Sequence, residues 1–352
     1  MCVAFLFIKA RGDTSRAPAV VLCVNRDEAF GRPTLPSHWW EDAPDVFAGR
    51  DLEAMGTWCG VSRTGRVAVL TNYTEPTEEG ADATGRSRPS RGALAADFLK
   101  GPTKAPPDVS AEAVSANAPF PWTPSAYAAK VAGERDAYAG FNLIVGDCVT
   151  GEFAYVGNRG DAAGDGSPVR LDVKKGDRCS YENVRAECAY GGACGVSNAA
   201  LGAPWPKVVA GAARLADAVA AYARDSNPGR SDEGHASLSA FAETALRRVL
   251  QNDGTWRPAR EDFGEDDADA ADDRRDVLAT RASAFVAPGD APRRRGAYGT
   301  RCSTVVAVSA DKKTAVVVER TLAWSAEGGG SSALGSGVWS APKATAFAVA
   351  ER

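Results

Sequence analysis

The chain opens with the stretch MCVAFLFI (residues 1–8), in which Cys2 is followed directly by six apolar residues. A second apolar run, residues 17–25, comes after a polar stretch that contains glycine, aspartate and serine. Two β-prone runs separated by turn-forming residues predict an antiparallel hairpin. The first strand of the fold therefore starts at the beginning of the chain, with Cys2 as its first residue.

Three further pairs of short apolar runs repeat this pattern, and each pair is divided by turn-forming residues. Each pair predicts another antiparallel hairpin, because its two runs are β-prone and the connection is short. The paired runs are 57–62 with 66–72, 141–146 with 152–157, and 302–308 with 314–319.

Helical signals lie between the hairpins, in segments 91–100, 125–135, 206–224 and 237–251. The third segment begins with Pro206, a residue that is favoured in the first turn of a helix. Hairpins, then helices, then further hairpins are typical of an α+β fold, whereas a parallel sheet needs strict alternation of strands and helices. We expect a four-layer αββα sandwich of two antiparallel sheets flanked by helices.

Composition excludes several classes of protein and partner. With 44% hydrophobic and 24% charged residues, the chain has the composition of a soluble globular protein. Its net charge is −4 and its basic residues are scattered, so it has no electrostatic footprint for nucleic acid or an anionic membrane. We expect no integral membrane segment, because no stretch is apolar over a sufficient length. The apolar start is too short for a secretory signal, so we predict a cytoplasmic protein.

The cysteines and histidines restrict the chemistry further. Eight cysteines are too few for a disulfide scaffold in a chain of 352 residues, and Cys179, Cys188 and Cys194 lack paired zinc spacing. We therefore expect a reducing compartment, no metal site and no cofactor. His38 and His235 are the two histidines, which leaves little for a Ser-His-Asp triad. A nucleophile in this chain is expected to use another base.

Cys2 is a candidate nucleophile if Met1 is removed during synthesis. The α-amine and the thiol of a terminal cysteine have ordinary pKa values of roughly 7.7–8.0 and 8.5, so the amine can accept the thiol proton. A terminal amine replaces histidine as the base in this way in several hydrolases. The alternative interpretation of Cys2 is a buried strand cysteine without a chemical role.

Four polar residues, Asn25-Arg26-Asp27-Glu28, end the second run of the opening hairpin. Antiparallel pairing brings this end back beside Cys2. An acidic group there would orient the α-amine, and a neighbouring arginine would offset the charge or bind a substrate carboxylate. The alternative is a turn with a helix-capping aspartate and a surface ion pair.

Three further residues stand at predicted strand ends. Asn72 closes run 66–72, and Asn198 closes the stretch Gly195-Val196-Ser197-Asn198. Their amides would suit an oxyanion hole, which needs donors where negative charge develops, although asparagine is also an ordinary turn former. Arg301 leads another strand and would hold or polarise a substrate, or would be an exposed charge at a strand edge.

Taken together, these motifs resemble the NRDE family, also called the Transport and Golgi organisation 2 family, of the N-terminal-nucleophile (Ntn) hydrolase superfamily. The ordered set covers nearly the whole chain, which implies a single domain over residues 1–352 with insertions near 101–124, 160–190 and 257–297. The matching segments are Met1-Cys2, Asn25-Arg26-Asp27-Glu28 with Arg32-Pro33, Gly56-Thr57-Trp58 with Gly60, Leu70-Thr71-Asn72-Tyr73, Ser90-Arg91-Gly92, Gly140-Phe141-Asn142-Leu143, Gly157-Asn158-Arg159, Gly195-Val196-Ser197-Asn198, Pro204-Trp205 and Tyr298-Gly299-Thr300-Arg301.

The wider superfamily includes bile-salt and penicillin V acylases, and similarity to them implies a catalytic set and a substrate-binding set. Those acylases carry an arginine before the asparagine of an Arg-Asn-x-Asp segment, whereas this chain has Val24 there. The role of that arginine is therefore not transferred to Arg26. The implied catalytic residues are Cys2, Asp27, Asn72, Asn198 and Arg301, and we expect Asn25, Arg26 and Glu28 to bind substrate.

Two functions from different classes follow. The first is a thiol-dependent amidase that cleaves a linear, non-peptide C–N bond of a small molecule. The second, implied by the resemblance, is non-catalytic handling of haem or acyl-CoA-type lipids, linked to Golgi organisation and protein secretion. The resemblance also implies association with the Golgi or with mitochondria. A haem site would need an axial ligand such as histidine, cysteine or tyrosine, and His38 is one candidate.

Overall fold

The computed structural model describes residues 2–74, 88–101, 122–160, 168–171, 189–190, 192–225, 233–251, 284–286, 289–290, 297–325 and 336–350. Within these ranges the chain forms sixteen strands and four α-helices. The strands are β1 (Val3–Ile8), β2 (Val20–Ala29), β3 (Thr34–Trp39), β4 (Val46–Asp51), β5 (Cys59–Ser62), β6 (Arg66–Asn72), β7 (Phe141–Asp147), β8 (Glu152–Gly157), β9 (Val169–Arg170), β10 (Ala189–Tyr190), β11 (Ala193–Val196), β12 (Gly289–Asp290), β13 (Ala297–Val308), β14 (Thr314–Ser325), β15 (Ser336–Trp339) and β16 (Lys343–Ala348). The helices are α1 (Gly92–Lys100), α2 (Pro124–Glu134), α3 (Pro206–Asp225) and α4 (Glu233–Ala245).

The first sheet is built around the predicted opening hairpin. Strands β1 and β2 pair antiparallel, with Val3 opposite Asn25 and Ile8 opposite Val20. The order of strands is β10-β11-β1-β2-β13-β14-β15, while β12 also pairs with β13 and β16 with β14. Every residue of β1 is buried, because this strand lies in the interior of the sheet and both of its faces are covered.

The second sheet runs β3-β4-β5-β6-β7-β8-β9, and its neighbouring strands are antiparallel. Strand β6 shows how its two faces differ. Val67 and Val69 pack into the apolar cluster shared with the first sheet, whereas Ala68 and Leu70 pack into a separate cluster with α1 and α2. This alternation follows the two-residue period of a strand, and it places apolar layers on both sides of the sheet.

Helices cover the outer face of each sheet. Helices α1 and α2 pack on the second sheet, and α3 and α4 pack on the first. The predicted α+β fold with four αββα layers is therefore confirmed. Among the helices of the described ranges, none is both long and apolar enough to cross a membrane.

Some predicted boundaries were wrong. The fourth helix was expected over 237–251, but α4 ends at Ala245 and a π-helical turn continues over Leu246–Leu250. Arg301 was expected to lead a strand, but it lies inside β13 at a β-bulge, where the register with β2 shifts between Thr300 and Cys302. A bulge inserts one unpaired residue into a strand, and no apolar period predicts its position.

Several strands were not predicted. Strand β3 contains a proline and a histidine and has several solvent-exposed positions, so it lacks the apolar run that identifies a strand. Strand β16 lies at an edge and is also largely exposed. The predicted insertions near 101–124, 160–190 and 257–297 lie mostly outside the described residues.

Candidate active site

Cys2 immediately precedes the first residue of β1 and lies beside the polar end of β2. Its thiol donates a long hydrogen bond to the backbone carbonyl of Asp27, with Sγ and O 3.6 Å apart. From the other side, Ser197 Oγ donates to the carbonyl oxygen of Cys2 at 2.7 Å. The side chain is half-buried. The hairpin thus brings the polar segment beside Cys2 as the sequence predicts.

Asp27 is held by two hydroxyl groups of β13. Its side chain is buried, and Oδ1 accepts a hydrogen bond from Thr300 Oγ1 at 2.6 Å. The hydroxyl of Tyr298 donates to the backbone carbonyl of Asp27 at 2.9 Å. Thr300 lies directly opposite Asp27 in the strand register. The carboxylate next to Cys2 therefore has an orientation fixed by the central strands of the sheet.

Asn72 and Asn198 meet across the gap between the two sheets. Asn198 Nδ2 donates to the backbone carbonyl of Asn72 at 2.6 Å, and the backbone N–H of Thr74 donates to the carbonyl of Asn198 at 2.8 Å. Asn198 is buried and its Oδ1 has no hydrogen-bond partner among the described residues. Because a side-chain amide carries two N–H bonds, Asn198 keeps a second donor beyond the one bound to Asn72.

A buried polar network supports the Ser197 contact with Cys2. Thr71 Oγ1 and Asn142 Nδ2 donate to the carbonyl of Ser197 at 2.6 and 3.0 Å. The hydroxyl of Tyr155 donates to Asn142 Oδ1 at 2.8 Å and fixes the orientation of that amide. Ser197, Thr71 and Asn142 lie in the quoted motifs, but sequence reasoning gave them no role. Only the pairing of distant strands shows that they position Cys2.

Burial raises the pKa of the Cys2 thiol. The charges of Asp27 and Glu28 raise it as well, whereas the positive N-terminus and the hydrogen bond to the Asp27 carbonyl lower it. The net direction is upward, so the thiol is protonated at neutral pH. A reaction at this sulfur consequently requires a base to remove the proton.

The side chains of Asn25 and Arg26 are engaged in the interior. Asn25 Nδ2 donates to the carbonyls of Leu250 and Ala284 at 2.9 and 2.8 Å, and its Oδ1 accepts from Ser303 at 2.6 Å. These bonds attach the π-helical turn to the first sheet. The amide of Asn25 is thus occupied by protein groups.

The guanidinium of Arg26 lies between the ring of Trp58 and an acidic partner. It is 4.3 Å from the ring centroid and 2.9 Å from Asp51 Oδ2. Glu28 Oε2 is 4.0 Å from Arg26 and is more exposed than the arginine. Of the three predicted substrate-binding residues, Glu28 therefore has the most accessible charge.

Arg301 binds backbone carbonyls at the end of β2 and in the turn that follows it. Its guanidinium donates to the carbonyl of Ala29 at 3.2 Å and also to that of Arg32. Burial lowers the pKa of Arg301, although arginine stays charged in proteins. Across the described ranges, no hydrogen bond or ion pair joins Arg301 to Cys2. Its contacts tie the turn after β2 to β13.

The family of the chain follows from comparison with known sequences. The sequence profile described as "Transport and Golgi organisation 2" matches residues 1–323. The chain belongs to the Transport and Golgi organisation 2 family. A Bos taurus relative, "Transport and Golgi organization protein 2 homolog", is 30% identical over 321 residues, which cover 88% of this chain and 90% of the relative. A Mus musculus homolog with a similar name is 28% identical over 319 residues, with the same coverage.

Comparison with solved structures gives a weaker result. A mutant conjugated bile acid hydrolase from Clostridium perfringens aligns with 90% of this chain and 89% of its own. The sequence identity is 10% and the TM-score is 0.32. At this score the likeness carries no argument about fold or activity, so membership of the Transport and Golgi organisation 2 family rests on sequence.

The burial of Lys207 in this Transport and Golgi organisation 2 chain was not predicted from the sequence. This lysine is among the largest fully buried side chains, in the first turn of α3, directly after Trp205 and Pro206. Burial lowers the pKa of Lys207 to about 8, although the charges of Asp27 and Cys2 raise it. The sequence marked this stretch as a helix start, but an isolated lysine carries no signal of burial.

Among the described residues, no group of three or more His, Cys, Asp or Glu side chains is arranged to hold a metal ion. His38, the candidate haem ligand, is half-buried, and its Nδ1 lies 2.7 Å from the carbonyl oxygen of Pro36. The side chain of His235 lies outside the described residues.

Proposed function

We propose that this chain is an amide hydrolase that cleaves a linear, non-peptide C–N bond of a small molecule, with Cys2 as its nucleophile. The observation that carries the proposal is the position of Cys2, which lies at the start of a central strand. Its thiol contacts the segment of Asp27, and its backbone contacts the segment of Asn198. A nucleophile, an acid partner and amide donors are the groups that acyl transfer requires.

In the proposed reaction, removal of Met1 exposes the α-amine of Cys2, which accepts the thiol proton. The sulfur attacks the amide carbonyl carbon and forms a C–S bond, while the carbonyl oxygen becomes an oxyanion. The intermediate then collapses, the C–N bond breaks, and the proton held by the α-amine goes to the leaving amine. Water hydrolyses the thioester, which releases a carboxylic acid and returns a proton to the sulfur.

The other predicted residues take supporting roles in this proposal. Asp27 orients the α-amine, and the side-chain amides of Asn72 and Asn198 donate to the oxyanion. Glu28 contacts substrate, while Asn25 and Arg26 contribute by holding β2 in place, since their side chains bind other protein groups. Arg301 keeps the turn after β2 in register with β13. Its predicted catalytic role would therefore be indirect.

The decisive experiment compares the wild-type protein with Cys2→Ala on a panel of N-acyl amides and reads the N-terminal peptide by mass spectrometry. We expect Met1 to be absent and turnover to fall at least about 1,000-fold in the variant, because a nucleophile cannot be replaced by binding contacts alone. Cys148→Ala is the matched control, since Cys148 is fully buried and far from the described site in sequence. Retained Met1, or equal turnover of Cys2→Ala and wild type, would contradict the proposal.

The non-catalytic function makes the opposite prediction for the same variant. A protein that only handles haem or acyl-CoA-type lipids would bind them equally well after Cys2→Ala, and would hydrolyse none of the amides. Equilibrium titration of both proteins with haemin and with an acyl-CoA distinguishes the two functions. Equal binding combined with no hydrolysis would replace the hydrolase proposal.

The names of the relatives refer to transport and to Golgi organisation, which supports a proposal about location. We propose that the protein acts in the cytoplasm in association with the Golgi or with mitochondria, and that it contributes to protein secretion. Fluorescence microscopy of a C-terminally tagged chain tests this, because such a tag leaves Cys2 accessible for processing. A uniform distribution with no organelle enrichment would contradict the association.

A further inference from the structure

The backbone carbonyl of Asp27 accepts hydrogen bonds from two side chains at the Cys2 site. The sulfur of Cys2 lies 3.6 Å from this oxygen, and the hydroxyl oxygen of Tyr298 lies 2.9 Å from it. Cys2 precedes β1 and Tyr298 belongs to β13, so the two donors come from the strands on either side of β2. A carbonyl oxygen has two lone pairs and can accept both bonds at once. One backbone atom therefore joins Tyr298 to the proposed nucleophile.

The pairing of β2 with β13 explains why this oxygen meets side chains. Thr300 stands opposite Asp27 in the register, yet its backbone N–H donates to the carbonyl of Val286 at 2.9 Å. The register of the two strands shifts directly after Thr300, at the β-bulge. A bulge interrupts the ladder of backbone bonds, so a buried carbonyl beside it takes donors from elsewhere. The hydroxyl of Tyr298 is such a donor.

Two hydroxyl groups of β13 hold Asp27 at both of its ends. Tyr298 is buried, with a relative exposure of 8%, and its hydroxyl binds the backbone of Asp27. Thr300 Oγ1 donates to the carboxylate at 2.6 Å and itself accepts from the backbone N–H of Val286 at 2.8 Å. While both bonds are present, the carbonyl of Asp27 cannot turn away from the thiol of Cys2.

We propose that Tyr298 is a positioning residue of the Cys2 site, whose hydroxyl holds the Asp27 backbone in contact with the thiol and so favours the reactive thiolate. This inference rests on the proposed function of Cys2 as a nucleophile. Tyr298 acts through the Asp27 carbonyl, and none of its own covalent bonds forms or breaks in the proposed reaction.

The surroundings of the thiol show how this effect is isolated. Contact with the Asp27 backbone lowers the pKa of the Cys2 thiol, against the larger and opposite effect of burial. The ionisable groups that interact with the thiol lie at the chain end and on β2, β13 and α3: the N-terminal amine, Asp27, Glu28, Cys302 and Lys207. Removal of the Tyr298 hydroxyl changes none of these charges, so its effect on Cys2 passes through the Asp27 backbone.

The test measures the rate at which iodoacetamide alkylates Cys2 between pH 6 and pH 11, read on the N-terminal peptide of the full-length protein by mass spectrometry. Wild type is compared with Tyr298→Phe, which removes one oxygen atom and keeps the ring. We expect the midpoint of alkylation to rise by about half a pH unit in the variant, because the Asp27 carbonyl is then free to turn. Alkylation at pH 7 should slow about threefold.

Tyr127→Phe is the matched control. Tyr127 is also buried, and its hydroxyl donates to the backbone carbonyl of Leu94 at 2.7 Å, but this bond joins α2 to α1 on the outer face of the second sheet. Both variants lose a bond of the same type, so their losses of stability in urea should be similar. A Tyr298→Phe protein with the wild-type midpoint, or an equal shift in Tyr127→Phe, would overturn the inference.

The outcome is independent of the amide assay, because alkylation needs no substrate. In that assay Tyr298→Phe should lower kcat about threefold and leave KM unchanged, since the tyrosine acts on the nucleophile and not on substrate binding. A shifted midpoint without any amide hydrolysis would refute the proposed function and retain the effect of Tyr298 on the thiol. An unchanged midpoint together with hydrolysis that depends on Cys2 would refute the inference alone.

Discussion

Single residues of the candidate site depend on partners that are remote in sequence. Ser197 contacts Cys2 across a separation of 195 residues, and Thr300 contacts Asp27 across 273. Each contact joins residues of two different motifs. The two residues lie on neighbouring strands, or in the segments beside those strands, only once the sheet has formed. A substitution in one motif is therefore expected to change the chemistry of another.

Lys207 gives a prediction about the pH dependence of stability. Its pKa in the folded chain is about 8, below the ordinary value of 10.5, so the unfolded chain binds more protons between these two values. The free energy of unfolding then rises with pH in this window, because deprotonation removes the cost of burying the cation. The wild type should gain about 2–4 kcal/mol relative to Lys207→Met between pH 7 and pH 10.5.

Urea denaturation at both pH values measures this change, and Lys130→Met, at an exposed position on α2, serves as the control. A constant difference between wild type and Lys207→Met across the window would show that Lys207 titrates normally in the folded chain. The sign matters, since a lysine stabilised mainly by an ion pair would instead lose stability as the pH rises.

At the scale of elements, two motif glycines explain how α1 is attached to the second sheet. A Cβ on Gly56 would lie 2.5 Å from the backbone carbon of Gly92, and the backbone N–H of Thr57 donates to the carbonyl of Gly92 at 3.1 Å. The loop before β5 and the start of α1 thus approach with backbone touching backbone. The motif Gly56-Thr57-Trp58 and the motif Ser90-Arg91-Gly92 are therefore distant in sequence but in contact in the fold.

We predict that Gly56→Ala lowers the free energy of unfolding by about 1–3 kcal/mol, because the backbone of Gly92 cannot move aside as a flexible side chain does. Thermal and urea unfolding measure the loss. Gly31→Ala is the control, since a Cβ on Gly31 meets nothing within 4 Å. Equal stability of the two variants would show that the loop before β5 relaxes freely.

For the whole molecule, Glu319 connects the two sheets. Its carboxylate on β14 accepts hydrogen bonds from the backbone N–H and the hydroxyl of Ser37 on β3, both at 2.7 Å. Thr304 on β13 donates to the same carboxylate at 2.7 Å. The apolar cluster around this bridge contains residues from Val3 to Val349, so we propose that the chain folds as one domain.

Glu319→Ala should lower the free energy of unfolding by at least about 2 kcal/mol, because it leaves buried donors of both sheets without an acceptor. Urea unfolding followed by fluorescence and by circular dichroism should give one coincident transition in the wild type, as one domain requires. Glu134→Ala, at an exposed position on α2, is the control. Two separate transitions would contradict the single domain, and an unaffected Glu319→Ala would contradict the bridge.

The sequence by itself determined the layers of the fold, because strand and helix periods and turn residues are local properties. The opening hairpin, three further hairpins and the four main helices were all predicted from such patterns, and the return of Asp27 to Cys2 follows from the first hairpin. Only the tertiary structure decided the bulge at Arg301, the Ser197 contact and the burial of Lys207. These depend on which distant strands become neighbours and on how α3 packs over them, and neither is encoded in a local period.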